Sequence, residues 1–294
     1  MTDPISTKKI HGPAETFDEA NRNFKKLKRS GNPKFKNLHT WNYNKSVHLL
    51  KEIGGKLTRQ YKVFKRGAII YVDFGINIGS EFSMPHFAVV LNKKDHRFNE
   101  KLTVIPLTSA KHQHTIELDN TIRDSSLSYL EESIKESATF IYSILLIIDD
   151  QNSKNSINIA KKYLEIIQKE PSIAYLQQHM SDKIKTITDA YSYAKEHLSK
   201  VQDKPVNTIS DAIINTYATK ENLENITSDT QLLKQILDMY KKYNKKTYAR
   251  VEDITTISKN RIRRINYYDP IGKIRVSSET LDRIEKSLKN FLFK

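Results

Sequence analysis

The hydrophobic period changes twice along this chain, and that restricts its fold more than any single motif. Ala68-Ile69-Ile70-Tyr71-Val72-Asp73-Phe74, His86-Phe87-Ala88-Val89-Val90-Leu91 and Leu102-Thr103-Val104-Ile105-Pro106-Leu107 are short apolar runs rich in β-branched and aromatic residues. Thr115-Ile116-Glu117-Leu118 alternates like a half-buried strand. Gly75 and the Asn92-Lys93-Lys94-Asp95 run punctuate the series, so these residues read as short strands of a small barrel or sandwich. Pro106 removes a ladder donor and is expected at a strand end or bulge. Beyond residue 120 the apolar spacing becomes three to four. Ile157, Ala160, Tyr163, Leu164 and Ile167 form one such face, followed by Ile173, Leu176 and Met180. Ile184, Ile187, Ala190, Tyr193, Ala194 and Leu198 form another, then Ile213, Ile214 and Tyr217, then Leu232, Leu233, Ile236, Leu237 and Tyr240. That is the period of amphipathic helices. A strand over 247–251 comes next, then a polar segment over 258–264, a short extended piece over 273–276 and a helix over 279–291 capped by Ser278.

The expected class is therefore α+β, a small β-barrel interrupted by a large all-α insertion. Residues 1–60 form a basic N-terminal extension with helices over 17–28 and 41–57. Residues 61–120 supply the first part of the barrel, 121–244 the helical insertion, and 245–294 the last part of the barrel with the closing helix. The chain has no cysteine, which excludes disulfides, Cys-ligated zinc and thiol catalysis and fits a reducing cytoplasm. The first thirty residues hold no apolar signal segment, and the apolar stretch over 138–148 is too short to span a bilayer. The expected location is cytoplasmic, without a membrane partner. The net charge of +15 is concentrated at the two ends. Residues 1–60 carry 13 basic and 5 acidic side chains and residues 245–294 carry 13 and 6, whereas 121–244 carry 15 and 17. Basic ends suit a polyanion such as nucleic acid, a solvated basic surface being the plainer alternative.

Three stretches together resemble the MazF/PemK family of toxin endoribonucleases. The first is Lys65-Arg66-Gly67-Ala68-Ile69-Ile70-Tyr71-Val72-Asp73-Phe74 with Gly79-Ser80-Glu81 after it. The second is His86-Phe87-Ala88-Val89-Val90-Leu91-Asn92 leading to Val104-Ile105-Pro106-Leu107-Thr108-Ser109. The third runs from Ala249-Arg250-Val251-Glu252-Asp253 to Ser258-Lys259-Asn260-Arg261-Ile262 and is similar to the family's strand-to-helix closing segment. The resemblance covers about 110 residues, 61–120 and 247–294, and leaves the extension and the insertion outside it. It implies a compact plasmid-toxin barrel, usually dimeric and paired with an antitoxin, that cuts single-stranded RNA without metal or cofactor by attack of the 2′-OH on the adjacent phosphate.

Such chemistry needs a base at the 2′-OH, an acid at the leaving 5′-oxygen and donors facing the phosphorane. The family usually places an Arg after the Gly-Ser-Glu loop; this sequence has His86 there, preceded by Pro85. Arginine stays protonated, whereas histidine exchanges protons near neutrality, so a proton-transfer role is expected of His86. Thr108 and Ser109 match the family's hydroxyl position and are expected at the phosphate oxygens. Lys111, in a Thr-Ser-x-Lys run similar to that of the ToxN/AbiQ toxins, is expected at the developing charge. Glu81, Ser83, His112 and His114 are candidates for the RNA groove, and Arg261, Arg263, Arg264 and Tyr267 offer phosphate contacts beside a stacking surface. His112 and His114 could instead share a strand face as metal ligands, but neither has an obvious carboxylate partner nearby. Two rival functions remain open: a barrel that poisons a protein target such as gyrase, and an inactive nucleic-acid-binding relative.

Overall fold

The computed structural model describes residues 12–55, 60–119, 122–153, 184–202, 220–241, 245–266 and 268–293. The helical faces expected around 157–180 and 213–217 lie outside these residues. The chain divides into two compact units. One comprises residues 1–119, 247–263 and 275–294, the other residues 120–246 and 264–274.

The first unit is built on an antiparallel sheet of seven strands: β1 (Ile69–Asp73), β2 (Pro85–Val90), β3 (Lys101–Thr108), β4 (Thr115–Glu117), β5 (Tyr248–Arg250), β6 (Thr255–Ser258) and β7 (Ile262–Arg263). Their order is β4-β5-β3-β2-β1-β7, with β6 also paired to β3. Strand β3 is therefore the seam where early and late parts of the chain meet. On one edge it pairs with β2, Ala88 facing Pro106 and Val90 facing Val104. On the other it pairs with β6 through residues 101–104 and with β5 through Leu107 and Thr108. Pro106 lies inside β3 rather than at its end, and this register explains how. The Leu91 N–H donates to the Thr103 carbonyl at 2.9 Å, so hydrogen-bonded pairs with β2 fall at alternate, odd positions of β3. The Pro106 nitrogen thus faces the other edge, between the end of β5 and the start of β6, where no ladder donor is needed.

The closing segment also differs from the expected strand-to-helix form. A 3-10 turn (Val251–Asp253) and β6 lead to a second turn (Lys259–Arg261), in which Ser258 Oγ accepts the Asn260 N–H at 3.3 Å, and then to β7. Lys259 is buried in this turn. Its Nζ lies 2.8 Å from both Asp95 carboxylate oxygens and also donates to the Lys62 carbonyl at 3.0 Å. Asp95 in turn accepts the Phe64 N–H and the Asn99 amide.

Two N-terminal helices, α1 (Pro13–Arg29) and α2 (Leu38–Ile53), belong to the same unit. The apolar residues of α2 do not make one packed face: Leu49, Leu50 and Ile53 are exposed, while Trp41 and Val47 are half-buried. The closing helix of this unit, Ser278–Phe293, is capped by Ser277 rather than Ser278: the Thr280 N–H donates to Ser277 Oγ at 3.0 Å. Asp119, just beyond β4, takes hydrogen bonds from Ser277, Thr280 and Arg283 and fastens that first turn.

In the second unit α3 (Ile122–Ser153) packs against α4 (Ile187–Gln202) and α5 (Lys220–Lys241). Most of the expected apolar faces are buried, Ala190, Ala194 and Leu198 on α4 and Leu233, Ile236, Leu237 and Tyr240 on α5, whereas Ile187 and Leu232, at the margins of these faces, are exposed. The closing helix of the first unit completes the series as α6. Residues 264–274 join the helical unit through Asp269, which accepts the Tyr240 hydroxyl at 2.9 Å and the Ile265 and Ile271 N–H groups. Among the described residues no helix is long and apolar enough to cross a membrane.

The buried Lys259–Asp95 pair yields the first prediction. Asp95→Asn leaves an uncompensated buried ammonium and is expected to cost about 3 kcal/mol, read as a lower denaturation midpoint. Burial alone would raise the Asp95 pKa, but hydrogen bonds from Lys259, Phe64 and Asn99 and the Lys259 charge hold it below the usual carboxylate range. Its folded pKa is thus depressed, so the pair's contribution is complete above the unfolded carboxyl pKa of about 3.9 and is lost as pH falls through the lower folded value.

Candidate active site and nucleic-acid interface

The connection between β1 and β2 is a closed loop held by its own side chains. Met84 N–H donates to the Gly75 carbonyl at 2.6 Å, and Phe74 N–H to the Met84 carbonyl at 3.3 Å. Inside this clasp Asn77 Nδ2 donates to the carbonyls of Phe74 (3.2 Å) and Phe82 (2.7 Å), while its N–H donates to Ser83 Oγ. Met84 has φ 75°, a left-handed backbone that a non-glycine side chain adopts at a cost. That strained residue directly precedes Pro85 and His86. Gly75, with φ 87°, is required for a second reason: a Cβ there would lie 2.5 Å from the Trp41 indole.

His86 on β2 faces Val72 on β1. Because Ala88 faces Pro106, the positions two residues outward, His86 and Thr108, share one face of the sheet. Thr108 is paired with Tyr248 on β5, so Arg250, two residues beyond Tyr248, points to that face as well. Phe82 from the loop lies against both His86 and Arg250. Its ring stacks edge-on against His86 at 4.7 Å, and the Arg250 guanidinium lies 5.6 Å from its centre. Burial lowers the His86 pKa, a hydrogen bond to the Leu107 backbone partly restores it, and the Arg250 charge lowers it further. The lowered pKa favours the neutral imidazole, the form that accepts a proton.

Arg250 is the residue that sequence reasoning missed. It is held by Glu252 at 2.8 Å and by Asp253 at 2.6 Å, and its side chain is 22% exposed. Burial raises the Asp253 pKa against the opposing charge of Arg250, with Glu252 adding to the rise and His112 opposing it. His112 thus belongs to the same neighbourhood, where its N–H donates to Thr115 Oγ1 at 3.1 Å.

The remaining candidates are scattered over the unit. Thr108 Oγ1 accepts the Ala110 N–H at 3.2 Å and so also shapes the turn after β3, in which Ser109 is exposed. Lys111 is exposed and lines a different cavity of about 440 Å³, beside β4 and α6, with Tyr248, Glu117, Arg283 and Lys286. Glu81 is exposed, and its carbonyl accepts the Ser83 hydroxyl at 3.0 Å. His114 is also exposed, its ring 6.0 Å from Phe291. His112 and His114 precede β4 instead of sharing a strand face, and no cluster of three metal-binding side chains occurs among the described residues. Arg261 and Arg263 belong to the sheet unit, Arg264 to the helical one, and Tyr267 lies outside the described residues. The basic run is therefore divided between the two units.

Two comparisons bear on this geometry. The family model of PemK-like, MazF-like toxins of type II toxin–antitoxin systems matches residues 65–138. The match takes in β1 to β4, with His86, Thr108, Ser109 and Lys111, and ends within α3. Residues 247–294, which carry Arg250 and complete the sheet, lie beyond it. No curated protein matches the chain significantly.

The His86 environment gives a direct test. Its ring resonances in NMR are expected to titrate below the ordinary histidine value of about 6.5. Arg250→Ala removes one lowering charge and should move the midpoint upward; a wild-type midpoint at or above the ordinary value would contradict the arrangement.

Proposed function

We propose that this protein is the toxin of a type II toxin–antitoxin system and cuts single-stranded RNA by 2′-OH attack, with the site on the face shared by His86, Thr108 and Arg250. The family match supports the toxin reading and implies an antitoxin partner, often with a dimeric toxin. The observation that carries the catalytic part is that His86, a hydroxyl and a guanidinium face the same side of the sheet, with burial lowering the His86 pKa. In this reading the seven-stranded sheet is the family's barrel, and residues 121–244 are a helical insertion within it.

His86 takes the proton from the 2′-OH, whose oxygen attacks phosphorus. Thr108 and Ser109 donate to the non-bridging oxygens, and Arg250 neutralises the charge that builds on them. Arg250 suits that part better than Lys111, because it lies over Phe82 and its charge acts on His86 while Lys111 lines the cavity beside α6. The usual family arginine is thus replaced in function by one arriving from another strand. Glu252 and Asp253 hold it until a phosphate competes for its donors. As the phosphate draws Arg250 away, the Asp253 carboxylate, which burial makes easier to protonate, takes a proton from solvent and passes it to the leaving 5′-oxygen, while His86 keeps the proton of the 2′-OH until the product leaves.

Purified protein in excess EDTA is expected to cut a long single-stranded RNA and leave 2′,3′-cyclic phosphate ends. His86→Ala and Arg250→Ala should each lower the rate by about a hundredfold or more, the usual effect of losing a proton-transfer group or a charge-stabilising donor. Because His86 acts as the base, activity should fall on acidification only below its lowered pKa. Intact RNA, or variants as active as the wild type, would overturn the reading.

A further inference from the structure

A second cavity of the sheet unit is unrelated to the His86 face. It encloses about 620 Å³ between α2 and the segment around the second 3-10 turn and β7. Asp73 and Arg263 form an ion pair in its wall, and Arg261 lies 5.0 Å from the Trp41 ring. Tyr71 faces Arg263 in the β1–β7 register, so Asp73 and Arg263 occupy the sheet face opposite to His86.

The charges of this cavity are unequal in a specific way. At its exposed rim Lys45 and Lys101 are matched by Glu52 and Glu100. Inside, two half-buried arginines share one carboxylate, and Arg263 holds it. Arg261 has a π-face but no direct ion pair among the described residues; burial pushes its pKa down, with only the charge of Asp73 opposing. One positive charge is therefore in excess, which is the charge a single phosphodiester neutralises. Beside it stand the Trp41 indole and the polar side chains of Asn44 and Asn260. The cavity is large enough for a small ligand such as a nucleotide unit.

We infer that this cavity is a subsite for one nucleotide of single-stranded RNA, its phosphate taken by Arg261 with Lys45 and Lys101 at the rim and its base packed against Trp41. The inference rests on the ribonuclease reading, for which it supplies a second hold on the substrate strand. The Gly75–Met84 loop connects the two places: Phe82 touches His86, and Gly75 supports Trp41. The N-terminal extension thereby has a defined task, since α2 contributes Trp41, Asn44 and Lys45 to the subsite.

Trp41 is the sole tryptophan of the chain, so its fluorescence reports this cavity alone. The full chain is titrated with a 2′-O-methyl oligonucleotide, which lacks the attacking hydroxyl, while a dye on the oligonucleotide reports total binding by anisotropy. Trp41 emission should change saturably over the same concentrations as the anisotropy. Arg261→Ala should shift that response about tenfold to weaker binding, as loss of a charge-assisted phosphate contact does. Lys45→Glu, on the exposed face of α2, should shift it in the same direction without touching the fold. Three results would overturn the inference: no binding, binding that leaves Trp41 silent, or an acidic peptide that alters Trp41 at lower concentration than the oligonucleotide. Parallel cleavage of RNA separates the two claims. Cut RNA with a silent Trp41 removes the subsite alone, and a responding Trp41 with uncut RNA removes the nuclease reading alone.

Discussion

The ion pair between Lys259 and Asp95 fixes how the late segment of the first unit lies against the early one. Both side chains are withdrawn from water, at a desolvation cost that only dense hydrogen bonding offsets. Lys259 donates to the carbonyls of residues 62 and 96 besides the carboxylate, and Asp95 accepts a backbone N–H and an amide. A buried pair bonded on so many sides tolerates one arrangement. The Lys259 N–H donates to the Glu100 carbonyl, which registers β6 along β3 and delivers Arg261 and Arg263 beyond the turn.

The alternation of the strands separates two sets of residues. One face of β2, β3 and β5 carries His86, Thr108 and Arg250, which the proposed function makes the catalytic face. The other face, on β1 and β7, carries Asp73 and Arg263, which the proposed subsite would use to hold the strand. The loop from Gly75 to Met84 lies at the end of β1 and β2 and touches both. Its strained Met84 and its fully engaged Asn77 indicate a rigid support rather than a mobile flap.

Much of this was legible in the residues. The four early strands appear where their apolar runs stand, because each run is bounded by turn residues and the first three bury β-branched side chains. The faces of α4 and α5 appear where the three-to-four spacing put them. What was not legible depends on long-range pairing. Arg250 lies 164 residues after His86 and meets its neighbourhood only because β3 pairs with both β2 and β5. In the sequence it is followed closely by Glu252 and Asp253, which offer it only a local ion pair. Lys259 reads as part of a basic run, yet it is among the most buried charges in the unit. Thr255-Thr256-Ile257-Ser258 has one buried apolar residue, Ile257, too weak a period to announce β6. The run from Arg261 to Arg264 looks continuous in sequence, but the boundary between units falls after Arg263.

The central claim is that one sheet face joins a base from the early segment to a cation from the late one around a single phosphate. A crystal structure of the full chain with a 2′-deoxy oligonucleotide, which binds but lacks the nucleophile, examines it most directly. The phosphate at the scissile position should lie within hydrogen-bonding distance of Arg250, with the 2′ carbon of the preceding sugar turned toward the His86 ring. A strand bound with no phosphate near Arg250, and with His86 facing only protein, would contradict it.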